Sequence, residues 1–306
     1  MRRIPRARAA VAPFFVLAAA ASAATACSVL LDWDLSGAGA GTQRDGGADA
    51  GATTDGATLA DGALPTDARD DRATATVLDC TGALLCDDFE NRTDPKGAPR
   101  IGAWNNPQFD FGDASVDTSI FAAGARSLLV AVPLSGPTRQ HSFLGATSLQ
   151  FGAALTFSAS FDILLEYDPA AYSSDASAGE YHVMVEFGPS ATPETIGIYY
   201  ARPRGVYLVA TAYDASGSPI TDVSMPLASD LRGGFHHVVL EGVFSTSTAV
   251  GTASVVVDKS AKTALGKFRT LKGALPTHFD ATFGASAGPT TPSMKAHYDN
   301  IVVTTR

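Results

Sequence analysis

Three cysteines, two tryptophans and four methionines in 306 residues are too few for a disulfide-dense miniature fold or a four-cysteine metal core. Basic residues are also short, with 22 Lys and Arg against 31 Asp and Glu and a formal net charge of −9. A chain without clustered Lys and Arg offers no broad surface to phosphate backbones, so nucleic acid is not an expected partner. There is no H-E-x-x-H stretch, no nucleophile elbow and no phosphate-binding glycine loop, which removes the usual marks of metalloprotease, serine hydrolase and nucleotide chemistry. Apolar runs are short as well. The longest, Val11 to about Ala21, falls below the roughly 20 residues that a membrane-crossing helix needs.

That run belongs to something else. Arg2, Arg3, Arg6 and Arg8 precede it and small residues follow it, the three-part pattern of an export signal over residues 1–26. Ala24-Thr25-Ala26-Cys27 resembles a bacterial lipobox, in which the cysteine receives the lipid and becomes the new N-terminus. Cys27 is therefore the predicted lipidation site; a plain secretory cut at an Ala-x-Ala sequence is the alternative. Loss of the four arginines makes the exported chain still more acidic. The resemblance implies an envelope protein at the outer membrane or cell surface, touching the membrane through the lipid anchor only; a secreted or periplasmic soluble protein is the other outcome.

Residues 27–76 contain a long stretch of Gly, Ala, Asp and Thr, with no aromatic residue between Ser36 and Ala75. So little apolar surface cannot offset the entropy of ordering a backbone, and a disordered, self-repelling tether is expected. As a random coil, about 40 residues reach roughly 35 Å. Asp45, Asp49, Asp55, Asp61 and Asp67 lack the alternating spacing of a calcium loop.

The pattern changes at Val77. Leu155, Phe157, Ala159, Phe161, Ile163 and Leu165 alternate with Thr156, Ser158, Ser160, Asp162 and Glu166, which predicts one long half-buried strand. Val183, Val185 and Phe187, and later Val255 and Val257, continue the theme between turn clusters such as Arg202-Pro203-Arg204-Gly205. About twelve strands and no amphipathic helix predict an all-β, antiparallel two-sheet sandwich over residues 77–306, with no need of a second domain. A four-residue loop at Arg202–Gly205 would pair Tyr200 with Tyr207 and put Ile196, Ile198, Tyr200, Tyr207, Val209 and Tyr213 on one face; a one-residue change of register would put Tyr199 there.

Several blocks, in order, resemble the concanavalin A-like lectin/glucanase superfamily and its laminin G-like branch. These are Cys86-Asp87-Asp88-Phe89-Glu90-Asn91, Gly124-Ala125-Arg126-Ser127-Leu128, Gly234-Phe235-His236-His237-Val238-Val239-Leu240 with Val255-Val256-Val257-Asp258, and Tyr298-Asp299-Asn300-Ile301-Val302. Phe235 stands where tryptophan is usual and Lys259 where a turn glycine is. The resemblance implies a jelly roll whose concave face or rim binds glycans or proteins in many members and cleaves glycans in some. It also implies a structural Ca²⁺ where the first and last strands meet, with Glu90 and Asp299 as ligands; two residues on a polar strand face are the plainer alternative.

The remaining candidates follow from residue chemistry. Cys80 and Cys86 predict a local disulfide in an oxidising compartment, a metal site lacking further ligands nearby. The glucanase pattern Glu-x-Asp-x-x-Glu begins at Glu166-Tyr167-Asp168 and then fails at Ala170 and Ala171. Asp162, Glu166 and Asp168 share a strand face, where a noncanonical acidic pair is one reading and a solvated outer face the plainer one. Adjacent strand residues His236 and His237 point to opposite sides and cannot both bind one metal. Trp104, Tyr200, Tyr207 and Tyr213 are candidate sugar platforms, although aromatics at period two also fill sandwich cores. The incomplete motif points to a noncatalytic module that binds a polysaccharide or an envelope or extracellular protein. The alternative is a glycan-active hydrolase or lyase built on the atypical acids.

Overall fold

The computed structural model describes residues 78–109, 112–133, 140–168, 181–190, 192–201, 205–287 and 293–306. The signal at 1–26, the tether at 27–76 and Cys27 lie outside the described residues. Within them the chain forms strands and no helix, in two antiparallel sheets. The first sheet runs β12 (Thr263–Leu265), β11 (Thr252–Val257), β10 (His236–Val243), β5 (Thr156–Glu166), β14 (Met294–Thr305), β3 (Ser127–Val132) and β2 (Asp113–Asp117), with β1 (Leu85–Asp87) paired to the later part of β14. The second runs β4 (Gln140–Gln150), β13 (His278–Ala287), β6 (Tyr181–Pro189), β7 (Ile196–Ala201), β8 (Gly205–Tyr213) and β9 (Pro219–Pro226). This is the predicted sandwich, with fourteen strands among the described residues where the sequence suggested about twelve.

The alternation predicted for the long strand is realised along all of β5, where Phe157, Ala159, Phe161, Ile163 and Leu165 are buried and the residues between them are not. Their buried face meets the second sheet through aromatic rings. Phe157 stacks on Phe187 with centroids 4.4 Å apart, and Phe161 and Tyr298 each present an edge to Phe283, at 5.4 and 6.0 Å. Such offset and edge-on pairs satisfy the ring quadrupoles and fix the spacing of the layers. Tyr298, fully buried on β14, shares its hydroxyl proton between the carbonyls of Met184 and Gly284, each 2.8 Å away. Both acceptors lie where the second sheet's register slips, between Phe283 and Ser286 on β13 and between Val183 and Val185 on β6. Gly284 is required there, because an added Cβ would stand 2.3 Å from the Ser142 carbonyl oxygen.

Cys80 and Cys86 are joined, with Cα atoms 5.7 Å apart, which bears out the local disulfide and clips the described N-terminal residues to β1. The hairpin between β7 and β8 departs from expectation. Its connection has three residues rather than four, so Tyr199 pairs with Tyr207 and Tyr200 with Val206. A one-residue slip inverts every side chain. Tyr200 therefore faces the core with Ile196 and Ile198, while Tyr207 faces outward with Tyr199.

Phe157 contacts Phe187, Phe244 and Phe279. Phe157→Ala should cost about 3–5 kcal/mol in denaturant unfolding, as large-to-small changes in packed cores do. Ser158→Ala, one position along on the outer face, should stay within about 0.5 kcal/mol.

Candidate functional site

The outer face of the first sheet carries the acids singled out from the sequence. Register aligns Glu166 of β5, Lys295 of β14, Ala131 of β3 and Asp113 of β2 in one row. Ala131 is the smallest member of the row, and the row opens there into a cleft of about 520 Å³. Glu166, Tyr167, Asp168, Lys295 and Asp113 all line it. Two of the three acids named for the catalytic alternative, Glu166 and Asp168, are thus brought together with a cation. Asp162 is not among them. It lies four residues back along β5, about 13 Å at strand rise, and pairs instead with Nδ1 of His237 at 2.8 Å and Nδ2 of Asn300 at 2.7 Å.

The next row places His297 beneath the cleft. It is fully buried, with Nε2 3.3 Å from a Glu166 oxygen and Nδ1 3.4 Å from an Asp117 oxygen, and with the Phe235 ring edge-on to it. The hydrogen bond from Nε2 orients Glu166, whereas Nδ1 stays without a hydrogen-bond partner among the described residues. Sequence inspection passed over His297, because 131 positions separate it from Glu166 and only the β5–β14 register joins them. Tyr167 closes the end of the sandwich. Its ring lies 4.7 Å from that of Tyr200, with the Arg232 guanidinium 5.0 Å above it. Burial pushes the phenol above its ordinary range, outweighing the opposing pull of Arg232.

Glu90 and Asp299 have other work than calcium. Oε1 of Glu90 accepts the N–H groups of Ala125 and Arg126 at 2.8 and 2.9 Å, and Oδ2 of Asp299 accepts those of Ala122 and Ala123 at 3.0 and 3.1 Å. Together they clamp the β2–β3 loop. Gly124 makes the clamp possible, since its φ is +68° and a Cβ there would stand 2.2 Å from the Glu90 carboxylate. One oxygen of each carboxylate is thus engaged by two amides, and no group of three His, Cys, Asp or Glu is placed to hold a metal among the described residues.

The predicted aromatic platform is also redistributed. Trp104 is buried, its Nε1 donating to Asp87 at 2.6 Å and its ring edge-on to Phe283. Tyr200 and Tyr213 are buried too. These three are core residues because each falls on the inner side of its strand or loop. Tyr207 alone remains outward, and it is joined by Tyr199, whose hydroxyl donates to Glu186 at 2.7 Å. Gly197 lets the Tyr199 ring lie along the strand: a Cβ there would be 2.9 Å from that ring. The alternation Ile196-Gly197-Ile198-Tyr199 was the available signal for this.

No protein family and no curated protein matches the chain. Among solved structures, an endo-β-1,4-glucuronan lyase from the fungus Trichoderma reesei superposes with a TM-score of 0.53 at 16% identity, over 73% of this chain and 96% of that one. Alginate lyase vAL-1 from Chlorella virus gives 0.45 at 14% identity, over 66% and 93%. The first likeness shows the fold, an antiparallel two-sheet sandwich that this chain shares with that lyase.

Asp299 gives this face a measurable property. It is fully buried, and burial pushes its carboxyl up to about 7 although three backbone amides favour the charged form. Between the ordinary value of 3.8 and about 7, the folded state therefore holds a proton that the unfolded state has lost. This contribution to stability is fully present below pH 4, declines as the pH rises through 7 and is then gone. Thermal or denaturant unfolding from pH 4 to 8 should show wild type losing about 4 kcal/mol relative to Asp299→Asn across that window; parallel pH curves for the two proteins would contradict the assignment.

Proposed function

We propose that the domain cleaves a polysaccharide by β-elimination at a uronic acid, with the Glu166 cleft as the reacting centre. The reading rests on one convergence: Glu166, Tyr167 and Lys295 line a single cleft, on a fold that a lyase also uses. Elimination requires the proton next to the sugar carboxyl to be removed, the neighbouring C–O bond to break, a carbon–carbon double bond to form, and the departing oxygen to gain a proton. Lys295, which makes no ion pair among the described residues, would neutralise the substrate carboxylate and make the adjacent C–H more acidic. Glu166, steadied by His297, would take that proton; Tyr167 would supply one to the departing oxygen. Asp113 on the rim repels further negative charge. A polymer in which uronates alternate with neutral sugars therefore suits the one cation among the described lining residues better than a continuous polyuronate.

Export and lipid anchoring through Cys27 are part of the same proposal. They are supported by the Cys80–Cys86 disulfide, since such bonds persist in oxidising compartments. A second reading, noncatalytic glycan binding, draws on the outward pair Tyr199 and Tyr207 with Glu186 beside them. The two are separated by incubating the full chain with alternating uronate polymers and following both ultraviolet absorbance from the new double bond and the release of reducing ends. Elimination predicts both signals, lowered about 100-fold or more in Glu166→Gln and in Tyr167→Phe. Reducing ends without absorbance would mean hydrolysis. Retention of the polymer without any product, lost in Tyr207→Ala, would leave the binding reading in place of the catalytic one.

A further inference from the structure

The outer face of the first sheet holds a second constellation, away from the cleft. Ser160 and Asp162 are two apart on β5 and share that face, and His237 of β10 is the cross-strand partner of Asp162. Oγ of Ser160 is 3.3 Å from Nε2 of His237, and Nδ1 of His237 is 2.8 Å from Oδ1 of Asp162. A carboxylate can only accept, so Nδ1 carries the proton and Nε2 presents its lone pair to the serine hydroxyl. The second Asp162 oxygen accepts from Nδ2 of Asn300 at 2.7 Å, which fixes the carboxylate in turn. Asn300 reaches it because the β14 ladder bulges between Asp299 and Val302, with Asn300 at a φ of +50°. Bulges of this kind re-aim single side chains and are common beside reactive sites.

The order nucleophile, imidazole, carboxylate and supporting amide is that of an activated serine. We propose that Ser160, His237 and Asp162 form an acyl-transfer site that hydrolyses small carboxylic esters, such as acetyl groups carried on a polymer. Ser160 would attack the ester carbonyl as Nε2 of His237 takes its proton. The C–O bond to the alcohol breaks, and the alcohol leaves with that proton. Water, deprotonated by the same imidazole, then releases the acid and restores the serine. The side-chain amide of Asn300 has a second N–H that no hydrogen bond among the described residues uses, and it can serve the carbonyl oxygen as charge develops there. The hydrogen bond to Asp162 is also the largest of the effects that hold the His237 ring above the ordinary imidazole range, making it a stronger base. His237 is exposed, and the register neighbours of Ser160, Val239 and Val302, are only half-buried. An open face favours a short acyl group presented by a large molecule over a free long-chain ester.

The test is independent of the elimination chemistry. The full chain is treated with a fluorophosphonate probe, the labelled residue is located by peptide mass spectrometry, and hydrolysis of p-nitrophenyl acetate and of an acetylated polysaccharide is followed. The expected result is label on Ser160 and ester hydrolysis lowered about 100-fold or more in Ser160→Ala and His237→Gln, with Ser158→Ala unchanged. Both serines sit on the outer face, so melting temperatures close to wild type confirm folding; if Ser160→Ala unfolds, His237→Gln at its exposed position carries the comparison. Absence of label from Ser160, or equal hydrolysis in wild type and the folded variants, overturns the proposal whatever becomes of the Glu166 cleft.

Discussion

The shared hydroxyl proton of Tyr298 joins the two sheets where the β6–β7 and β13–β6 ladders slip and leave carbonyls to be satisfied. A buried tyrosine hydroxyl needs a partner, and buried carbonyls without one are costly, so each side meets the other's requirement. The consequence runs along β14. Side chains alternate across a strand, so sending Tyr298 and Ala296 inward commits Lys295, His297 and Asp299 to the outer face. All three then become the chemistry of that face: a cation in the cleft, an imidazole beneath it, and a carboxylate clamping the β2–β3 loop. Two of them end fully buried, and the raised Asp299 carboxyl is what that burial costs.

Much of the fold was legible because its strongest signal is local. The alternation along Phe157 to Leu165 needs nothing beyond adjacent residues, and it survives unchanged as β5. The short blocks resembling laminin G-like domains also acquire physical reasons. Asp258 accepts the His237 N–H at 2.8 Å and pairs with His236, locking the ends of two neighbouring strands, while Gly124 leaves room for Glu90. Hairpin register was not legible, since three and four loop residues read alike between Ala201 and Val206. The two readings put opposite tyrosines outward.

The site was legible only in part, and for a related reason. Glu166 and Asp168 stand out as carboxylates on a strand, but Lys295, Asp113 and His297 join them through long-range pairings that no periodicity announces. Trp104 misled in the other direction. A lone tryptophan in an early loop resembles a sugar platform, yet Asp87 offers its indole nitrogen a buried acceptor, and the ring goes where that bond can form. Asp87 itself is shared with Arg92 and the backbone of Phe89, so one charged residue organises the whole start of the domain. Burial raises that carboxyl above its ordinary range in spite of Arg92, a sign of how tightly the segment is packed.

The cysteine bridge has a mechanical meaning as well. Tension arriving along the backbone from before residue 80 passes through the sulfur atoms directly to Cys86, leaving the five intervening residues slack. It enters the sandwich at β1, whose three residues are hydrogen-bonded to β14. A pull on the protein from its N-terminal side is therefore borne first by the three-residue pairing of β1 with β14 and by the bridge from Cys86 to Ile101.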